Sequence, residues 1–173
     1  MKKTTERTED GATAGLTHRA VIALGANLGE RDKTLREALA RLDAEPAIEI
    51  ERVSSFIETE PVGGPPGQGK YINAAAIVRT SHSPRELLTL LLDIEHELGR
   101  VRIKDQRNAP RTMDLDLLLY DQQILHEAGL DIPHPRLHER HFVLLPLNEI
   151  APEWMHPVFG KSIRELLTTL VPV

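Results

Sequence analysis

The sequence predicts an α+β domain built on an antiparallel β-sheet that helices cover on one face. Short aliphatic runs that suit strands alternate with segments of helical periodicity, in the order β-α-β-β-α-β. Hydrophobic residues make up 40% of the 173 residues and charged residues 27%, which is the composition of an ordinary folded domain. The length suits one domain, which we expect over residues 18–173, behind a disordered leader over residues 1–17.

The chain after the leader begins with a strand and a helix. Arg19-Ala-Val-Ile-Ala-Leu24 is a short apolar run of the kind that forms a buried strand. Residues 25–29, Gly-Ala-Asn-Leu-Gly, predict a turn. A helix follows and ends near Pro46, because its apolar residues are spaced i, i+3, i+4, i+7: Leu35, Ala38, Leu39 and Leu42.

Two further strands flank a loop that is rich in glycine and proline. Residues 48–59 are rich in β-branched residues. Ile48 and Ile50 share one phase and Val53 and Ile57 take the other, which predicts one long strand with a bulge near Arg52. Residues 60–70 contain four glycines and three prolines, which cannot continue a sheet, so we expect a loop there. Residues 71–80 predict the next strand.

The second half completes the pattern. Ser83-Pro84-Arg85-Glu86 predicts a capping box with proline at the first helical position, and the helix it begins ends at Gly99. A strand over Thr112–Tyr120, a hairpin or long turn over residues 122–135, and helices over Leu137–Leu147 and Ser162–Leu170 follow. The predicted fold is a ferredoxin-like βαββαβ plait with a C-terminal hairpin and helices.

Composition excludes several classes of function. The chain has no cysteine, which excludes disulfides, thiol nucleophiles and thiolate metal sites. No apolar run approaches the ~18 residues of a membrane helix, and a net charge of −5 disfavours a general nucleic-acid binder. We therefore expect a cytoplasmic protein that has neither nucleic-acid nor membrane partners. Separately from composition, we expect it to be a monomer.

Positive charge is concentrated in one segment of this acidic chain. Residues 100–111 carry five cations and one acid: Arg100, Arg102, Lys104, Arg107 and Arg111 against Asp105. Such a compact basic segment favours a small polyanion such as a polyphosphate, because guanidinium groups match phosphate oxygens. The alternative is a solvent-exposed positive turn.

Asp114 and Asp116 follow the basic segment directly. Strand alternation places both carboxylates on one face, roughly 7 Å apart, while Leu115, Leu117 and Leu119 point to the opposite face. Two acids on one face repel each other unless a cation lies between them, and Mg²⁺ is the usual candidate. The alternative is the solvated face of an edge strand, but the neighbouring arginines favour metal-bound phosphates.

Tyr71 and Asn73 alternate onto one face of their strand, where a ring and an amide could stack on a flat heterocycle and bind its edge. The alternative is a tyrosine that caps the sheet and an asparagine that satisfies the nearby loop. Glu95, on the flank of the second helix, is by itself most simply interpreted as a charged helix edge.

Two weaker patterns are interpreted as structural. Residues 25–29 lack the Gly-Lys-Ser/Thr ending of a phosphate-binding loop, so we interpret them as a strand-to-helix turn. His134 and His138 have the i, i+4 spacing of zinc ligands, but Pro135 lies between them and no third ligand is evident, which disfavours zinc.

Several motifs taken together resemble one enzyme family, the 6-hydroxymethyl-7,8-dihydropterin pyrophosphokinases of folate synthesis. The motifs are Arg107-Asn-Ala-Pro-Arg-Thr-Met-Asp-Leu-Asp-Leu117, Gly99-Arg-Val-Arg102, Pro133-His134 and Arg140-His-Phe142. The likeness runs from about Ala20 to about Leu170. It implies transfer of the β,γ-pyrophosphoryl group of ATP to the pterin hydroxymethyl group, which gives the pterin diphosphate and AMP.

The resemblance also implies roles for particular residues. Asp114 and Asp116 would hold two Mg²⁺ ions, and Arg100 and Arg111 would clamp the phosphates during transfer. The nucleotide site would comprise Glu95, Arg102, Arg107, Arg111, His134 and Arg140. The pterin ring would lie between Tyr71 and Phe142, with its polar edge against Thr59, Val62 and Asn73.

Two functions of other classes compete with this hypothesis. A ferredoxin-like module could bind RNA or a small regulatory ligand, although the sequence lacks ribonucleoprotein-like aromatic motifs. A metal-dependent nucleotide hydrolase could use the same two aspartates with water as the acceptor. Product analysis distinguishes the hydrolase from the pyrophosphokinase, because transfer makes AMP only when the pterin is present.

Overall fold

A computed structural model of the chain describes residues 15–100 and 110–170. Most of the predicted leader therefore lies outside the described residues, as do Arg102 and Arg107. The elements in chain order are β1 His18–Ala26, α1 Arg31–Ala44, β2 Ile48–Val53, β3 Ile57–Thr59, β4 Tyr71–Thr80, α2 Pro84–Glu97, β5 Asp114–Tyr120, β6 Leu125–Glu127, β7 Leu130–Ile132, α3 His141–Ile150 and α4 Ile163–Thr169.

The main sheet is antiparallel, as predicted; its strand order is β2-β4-β1-β5, with β3 also paired to β4. β1 is central, so that Gly25 lies opposite Asn73 on one side and Asp114 on the other. β6 and β7 form the predicted hairpin as a separate small sheet. The α+β plait that the sequence predicts is confirmed.

Helices cover both faces of this sheet, whereas the sequence predicted helices on one face. Ile22 and Leu24 of β1 pack in a cluster with apolar residues of α1 and α2. Val21 and Ala23 point the other way and pack with apolar residues of α3 and α4. The C-terminal helices need a partner for their own apolar faces, and the second face of the sheet provides it.

The predicted long strand over residues 48–59 is divided in two. The register of β2 against β4 shifts between Ile50 and Arg52, which confirms the predicted bulge. Ser54 then pairs with Ala75 through two 2.9 Å hydrogen bonds, one from the backbone N–H of Ser54 to the Ala75 carbonyl and one from the Ala75 N–H to the Ser54 hydroxyl. A side chain thus replaces a backbone acceptor where the strand is interrupted.

Two local predictions need correction. Leu119 does not share a face with Leu115 and Leu117, because the β1–β5 register shifts between Val21 and Ile22 and turns Leu119 into the cluster beneath α3. The helix predicted over Leu137–Leu147 begins later, at His141: a short 3₁₀ turn over Leu137–Glu139 precedes it, and the extended backbone of Arg140 separates the two.

The second helix follows its prediction closely. The Ser83 hydroxyl accepts a hydrogen bond from the Glu86 backbone N–H, and the Glu86 carboxylate accepts one from the Ser83 backbone N–H, which is the predicted capping box. Gly99 follows the helix with φ +84°, a left-handed conformation that glycine adopts without strain. None of the helices within the described ranges is both long and apolar enough to cross a bilayer.

Candidate active site

Two neighbouring cavities open at the end of the sheet where β5 begins. The first, of about 680 Å³ including its open mouth, is lined by the ends of β1 and β4, the loop after β3, and α3. The second lies toward α2 and the segment after β7. Among the described residues, four charged side chains line both cavities: Arg111, Asp114, Asp116 and Arg140. A cluster of acids and arginines therefore lies where the two cavities meet.

Asp114 lies between two guanidinium groups. Nη1 of Arg100 is 2.7 Å from Oδ1 of Asp114, and Nη1 of Arg111 is 2.9 Å from Oδ2. All three side chains are largely buried. Charge-assisted hydrogen bonds of this kind are strong and directional, so the two arginines are held at the point where the cavities meet.

Glu95 anchors Arg100 from the other side. Its carboxylate accepts hydrogen bonds from the Arg100 guanidinium and, at 2.7 Å, from the Leu115 backbone N–H. The residue is 2% exposed, whereas the sequence by itself favoured a charged helix edge. The helical spacing indicates that Glu95 is buried, a signal that the sequence analysis did not use. Glu95 lies four residues after Leu91 and so continues the buried stripe of α2.

Asp116 is the second carboxylate of the pair. Burial, and after it the negative charge of Asp114, raise its pKa to about 7. Nη1 of Arg140 lies 3.5 Å from its Oδ2 and partly offsets this. Two acids that disfavour each other's charge at the mouth of two cavities are an arrangement that a bound cation would relieve.

The donor set at this point is oxygen only. Within residues 15–100 and 110–170, no group of three or more His, Asp or Glu side chains could hold a metal ion. The described residues can therefore offer a metal ion two carboxylates, and its other ligands must come from water or substrate. Mg²⁺ is commonly bound in this way, through one or two carboxylates together with phosphate oxygens.

The first cavity brings the predicted aromatic and polar residues together. Tyr71 and Phe142, from β4 and α3, both line it, together with Asn73, Thr59 and Val62. Burial raises the pKa of Tyr71, so its hydroxyl stays protonated at neutral pH. The Asn73 amide donates a 2.6 Å hydrogen bond to the Thr59 hydroxyl, which fixes its carbonyl oxygen as an acceptor.

Gly25 permits this arrangement. A Cβ atom at Gly25 would lie 3.1 Å from Oδ1 of Asn73, closer than ordinary contact. The sequence predicts only a turn over residues 25–29 and does not indicate that Gly25 lines the first cavity. The signal becomes visible only through the sheet register, because Gly25 pairs with both Asn73 and Asp114.

The second cavity contains His134 in its neutral form. Burial, and after it the positive charge of Arg140, lower the pKa of His134 to about 4. Its Nδ1 accepts a 3.1 Å hydrogen bond from the Arg136 backbone N–H, which leaves Nε2–H as a donor. His138 lies apart, with its ring 4.6 Å from that of Phe159, so the described structure does not bring the two histidines into a zinc site.

The predicted site residues thus converge, with two exceptions. Glu95, Arg100, Arg111, Asp114, Asp116, His134 and Arg140 line the second cavity, and Thr59, Val62, Tyr71, Asn73 and Phe142 line the first. Arg102 and Arg107 lie outside the described residues. The convergence agrees with the predicted site, although the roles of its residues stay predictions.

Comparison with known proteins identifies similar chains. The family model described as 7,8-dihydro-6-hydroxymethylpterin-pyrophosphokinase matches residues 21–152. A 2-amino-4-hydroxy-6-hydroxymethyldihydropteridine pyrophosphokinase from Synechocystis sp. is 45% identical over 150 residues, which cover 87% of this chain and 75% of that protein. A Bacillus subtilis protein of the same name is 47% identical over 132 residues, covering 76% of this chain and 77% of that protein.

Solved structures of the same fold belong to longer chains. An HPPK-DHPS in complex with substrates superposes with a TM-score of 0.68 at 17% identity, covering 88% of this chain and 43% of that chain. Plasmodium falciparum HPPK-DHPS gives 0.67 at 16% identity, covering 87% of this chain and 44% of that chain. This chain spans less than half of those solved chains, and at such identity the likeness supports the fold alone.

Proposed function

Because this chain belongs to the 7,8-dihydro-6-hydroxymethylpterin-pyrophosphokinase family, we propose that its two adjoining cavities hold its two substrates. The enzyme transfers a pyrophosphoryl group to the hydroxymethyl group of the dihydropterin, a step of folate synthesis. ATP is the donor in this proposal, and AMP is its product. The observation that carries the proposal is the group of four charged side chains shared by both cavities.

The first cavity takes the pterin. Tyr71 and Phe142 supply two ring faces for a flat heterocycle, and aromatic pairs of this kind stabilise a stacked ligand. Asn73, with its amide N–H already donated to Thr59, presents its carbonyl oxygen to the pterin's N–H groups. Val62 is 63% exposed and closes one side of the cavity when a ligand covers it.

The second cavity takes the nucleotide. Arg100, Arg111 and Arg140 supply guanidinium forks, which bind phosphate oxygens in pairs. The Nε2–H of neutral His134 adds a donor without adding charge. Glu95 holds Arg100 in place, and Arg102 and Arg107 stay assigned to the nucleotide from the family motif.

Asp114 and Asp116 are the residues that would hold Mg²⁺, two ions in this proposal. The support is chemical: two partly buried oxygen donors that repel each other, beside arginines that suit phosphate. Bound Mg²⁺ supplies charge neutralisation and orientation to the triphosphate.

The chain's own residues contribute positioning and electrostatics. Arg100 and Arg111 can exchange the Asp114 carboxylate for phosphate oxygens, so that donors already lie where negative charge develops. Phe142 and Tyr71 fix the plane of the pterin and hence the position of its hydroxymethyl group. Holding two reactants in register accounts for a large part of the rate of such a transfer.

We also propose that the protein works as a cytoplasmic monomer without nucleic-acid or membrane partners. Both cavities, as far as residues 15–100 and 110–170 line them, are built from one chain. The unit that folds is proposed to be residues 18–173, behind the leader. Sedimentation at micromolar concentration, with and without ATP, tests the monomer.

The test of the function is product analysis. Incubation with ATP, Mg²⁺ and the dihydropterin alcohol is expected to give AMP and pterin diphosphate in equal amounts. Omission of the pterin is expected to abolish AMP formation. AMP release without the pterin would instead support the nucleotide hydrolase, and absence of any pterin diphosphate would contradict the proposal.

A further inference from the structure

Asn27 connects the loop over residues 60–70, which lines the first cavity, to Arg111, which lines both cavities. It follows β1 in the turn that precedes α1 and is 5% exposed. Its backbone N–H donates to the Arg111 carbonyl at 3.2 Å, and its side-chain Oδ1 accepts from the Arg111 N–H at 2.9 Å. The backbone of Arg111, whose side chain holds Asp114, is therefore fixed from both sides by one residue.

The other end of the Asn27 amide reaches the loop over residues 60–70. Its Nδ2 donates at 3.3 Å to Oε1 of Gln68 and at 3.3 Å to the Gly69 carbonyl. Gln68 in turn donates through Nε2 to the Gly63 carbonyl at 3.1 Å. Gly63 lines the first cavity, so a continuous hydrogen-bonded path runs from Arg111 to the wall of that cavity.

The loop passes close to the turn that contains Asn27. A Cβ atom added at Gly69 would come into ordinary van der Waals contact, 3.4 Å, with the Asn27 carbonyl oxygen. Each of the two polar atoms of the Asn27 amide has a partner, one on each segment. A shift of the loop on ligand binding must therefore either carry Arg111 with it or break a buried hydrogen bond.

We infer that Asn27 is a positioning residue that couples the two cavities, so that pterin binding at the loop sets the position of Arg111 toward the nucleotide. The inference rests on the proposed function, because it takes the first cavity as the pterin site and the second as the nucleotide site. Coupling of this kind is reciprocal: each ligand changes the affinity of the other by the same factor.

The experiment measures that factor directly. The affinity of a non-hydrolysable ATP analogue with Mg²⁺ is determined by calorimetry, first alone and then with saturating dihydropterin alcohol. The full chain is used throughout. In the wild type the two affinities are expected to differ by about five-fold or more, the lower end of common coupling factors.

Two variants break the path at different points. Gln68→Ala removes the side chain that connects Asn27 to Gly63 and leaves the hydrogen bond from Asn27 to the Gly69 carbonyl in place, so the fold is expected to be retained. Asn27→Asp keeps an oxygen to accept from the Arg111 N–H but loses the two donors to the loop. Both are expected to reduce the coupling factor to about one-fold, while the affinity for each ligand alone changes by less than about three-fold.

A matched control separates coupling from loss of a surface amide. Gln122→Ala removes an exposed amide that hydrogen-bonds the Asp121 and Met155 carbonyls, away from both cavities. Its coupling factor is expected to equal that of the wild type. Thermal unfolding of each variant identifies any that fails to fold, and Gln68→Ala alone then decides the outcome.

Coupling that persists in Gln68→Ala, or a wild type that binds both ligands independently, would overturn this inference and leave the proposed function intact. A wild type that binds neither ligand would overturn the proposed function as well. A coupling factor that is lost in Gln68→Ala and Asn27→Asp but retained in Gln122→Ala would support coupling through Asn27.

Discussion

The guanidinium of Arg100 lies 2.7 Å from Oδ1 of Asp114, so a residue proposed to bind phosphate is paired with a residue proposed to bind metal. The other oxygen of the same carboxylate is held by Arg111. Both oxygens of Asp114 are thus engaged before any ligand arrives. Ligand binding must exchange these partners, with the arginines moving to phosphate.

This exchange predicts that a divalent cation alone binds weakly. Without phosphate, the ion pairs that Asp114 makes with the two guanidinium groups are lost and no phosphate oxygen replaces Asp114 as their partner. We expect Mn²⁺, used as a paramagnetic substitute for Mg²⁺, to bind more weakly alone than with an ATP analogue, by about ten-fold or more. A factor of ten corresponds to about 1.4 kcal/mol of binding free energy. Water-proton relaxation measures both affinities.

Arg111→Ala is the informative variant for that prediction. Removal of one guanidinium should strengthen the binding of Mn²⁺ alone and weaken that of the ATP analogue. Arg164→Ala, which removes an exposed arginine paired with Glu153 on the surface, should change neither affinity. A uniform loss of both affinities in Arg111→Ala would contradict the exchange.

Asp116 is predicted to lower the stability of the ligand-free protein at neutral and higher pH. Its pKa is about 7 in the folded chain and about 3.9 when unfolded. The folded state therefore binds the proton more tightly, and stability falls as pH rises from about 4 through 7. Asp116→Asn should raise the free energy of unfolding at pH 8 by about 1–2 kcal/mol, with a smaller gain at pH 5.

The same variant should lose activity by several orders of magnitude and keep its pterin affinity, because the proposed metal site loses a ligand while the stacking rings stay in place. Denaturant titration at the two pH values measures stability, and calorimetry measures pterin binding. Glu153→Gln, an exposed carboxylate on the surface, serves as the control. An Asp116→Asn protein less stable than the wild type at pH 8 would refute the assignment.

The two rings of the first cavity are predicted to supply most of the pterin affinity. Tyr71→Ala or Phe142→Ala should each weaken pterin binding by about 1–3 kcal/mol, through lost burial and stacking. Nucleotide affinity should change little. Phe159→Ala is a matched control, because Phe159 is 46% exposed and packs on His138 and His156 outside both cavities. Equal effects from Phe159→Ala would remove the special role of the two rings.

His134 is predicted to contribute to loss of stability in acid. Its pKa is about 4 in the folded chain against about 6.5 unfolded. The unfolded state gains the proton first, so stability is fully present above pH 6.5 and falls by up to about 3 kcal/mol as pH decreases to 4. Denaturant midpoints across this range should fall less steeply for His134→Gln. If the denaturant midpoint of His134→Gln falls with decreasing pH as steeply as that of the wild type and of the exposed control His126→Gln, the prediction is contradicted.

Local sequence signals predicted much of the fold and the site. Alternation along one strand placed Tyr71 and Asn73 on a common face, and the same reasoning placed Asp114 and Asp116 together. The capping box at Ser83 marked the second helix. These predictions depend on spacing within one element, which the sequence contains in full.

What the sequence did not predict depends on contacts between distant segments. Leu119 changes face because of a register shift against β1, and the second helical layer depends on how α3 returns to the sheet. The residues around Asn27 predict a turn. The contacts of Asn27 with Arg111 and Gln68 form only when three segments of the chain meet. Such contacts depend on the pairing of residues far apart in the chain, which periodicity does not encode.

Gly25 pairs across the sheet with Asn73 on one side and Asp114 on the other. Asn73, which we propose binds the edge of the pterin, and Asp114 are therefore separated by two strand spacings, roughly 10 Å between backbones. Hydrogen bonds of the central sheet maintain that interval. Neighbouring loops can thus vary in length and composition over evolution while the span from ring to reacting phosphate stays constant.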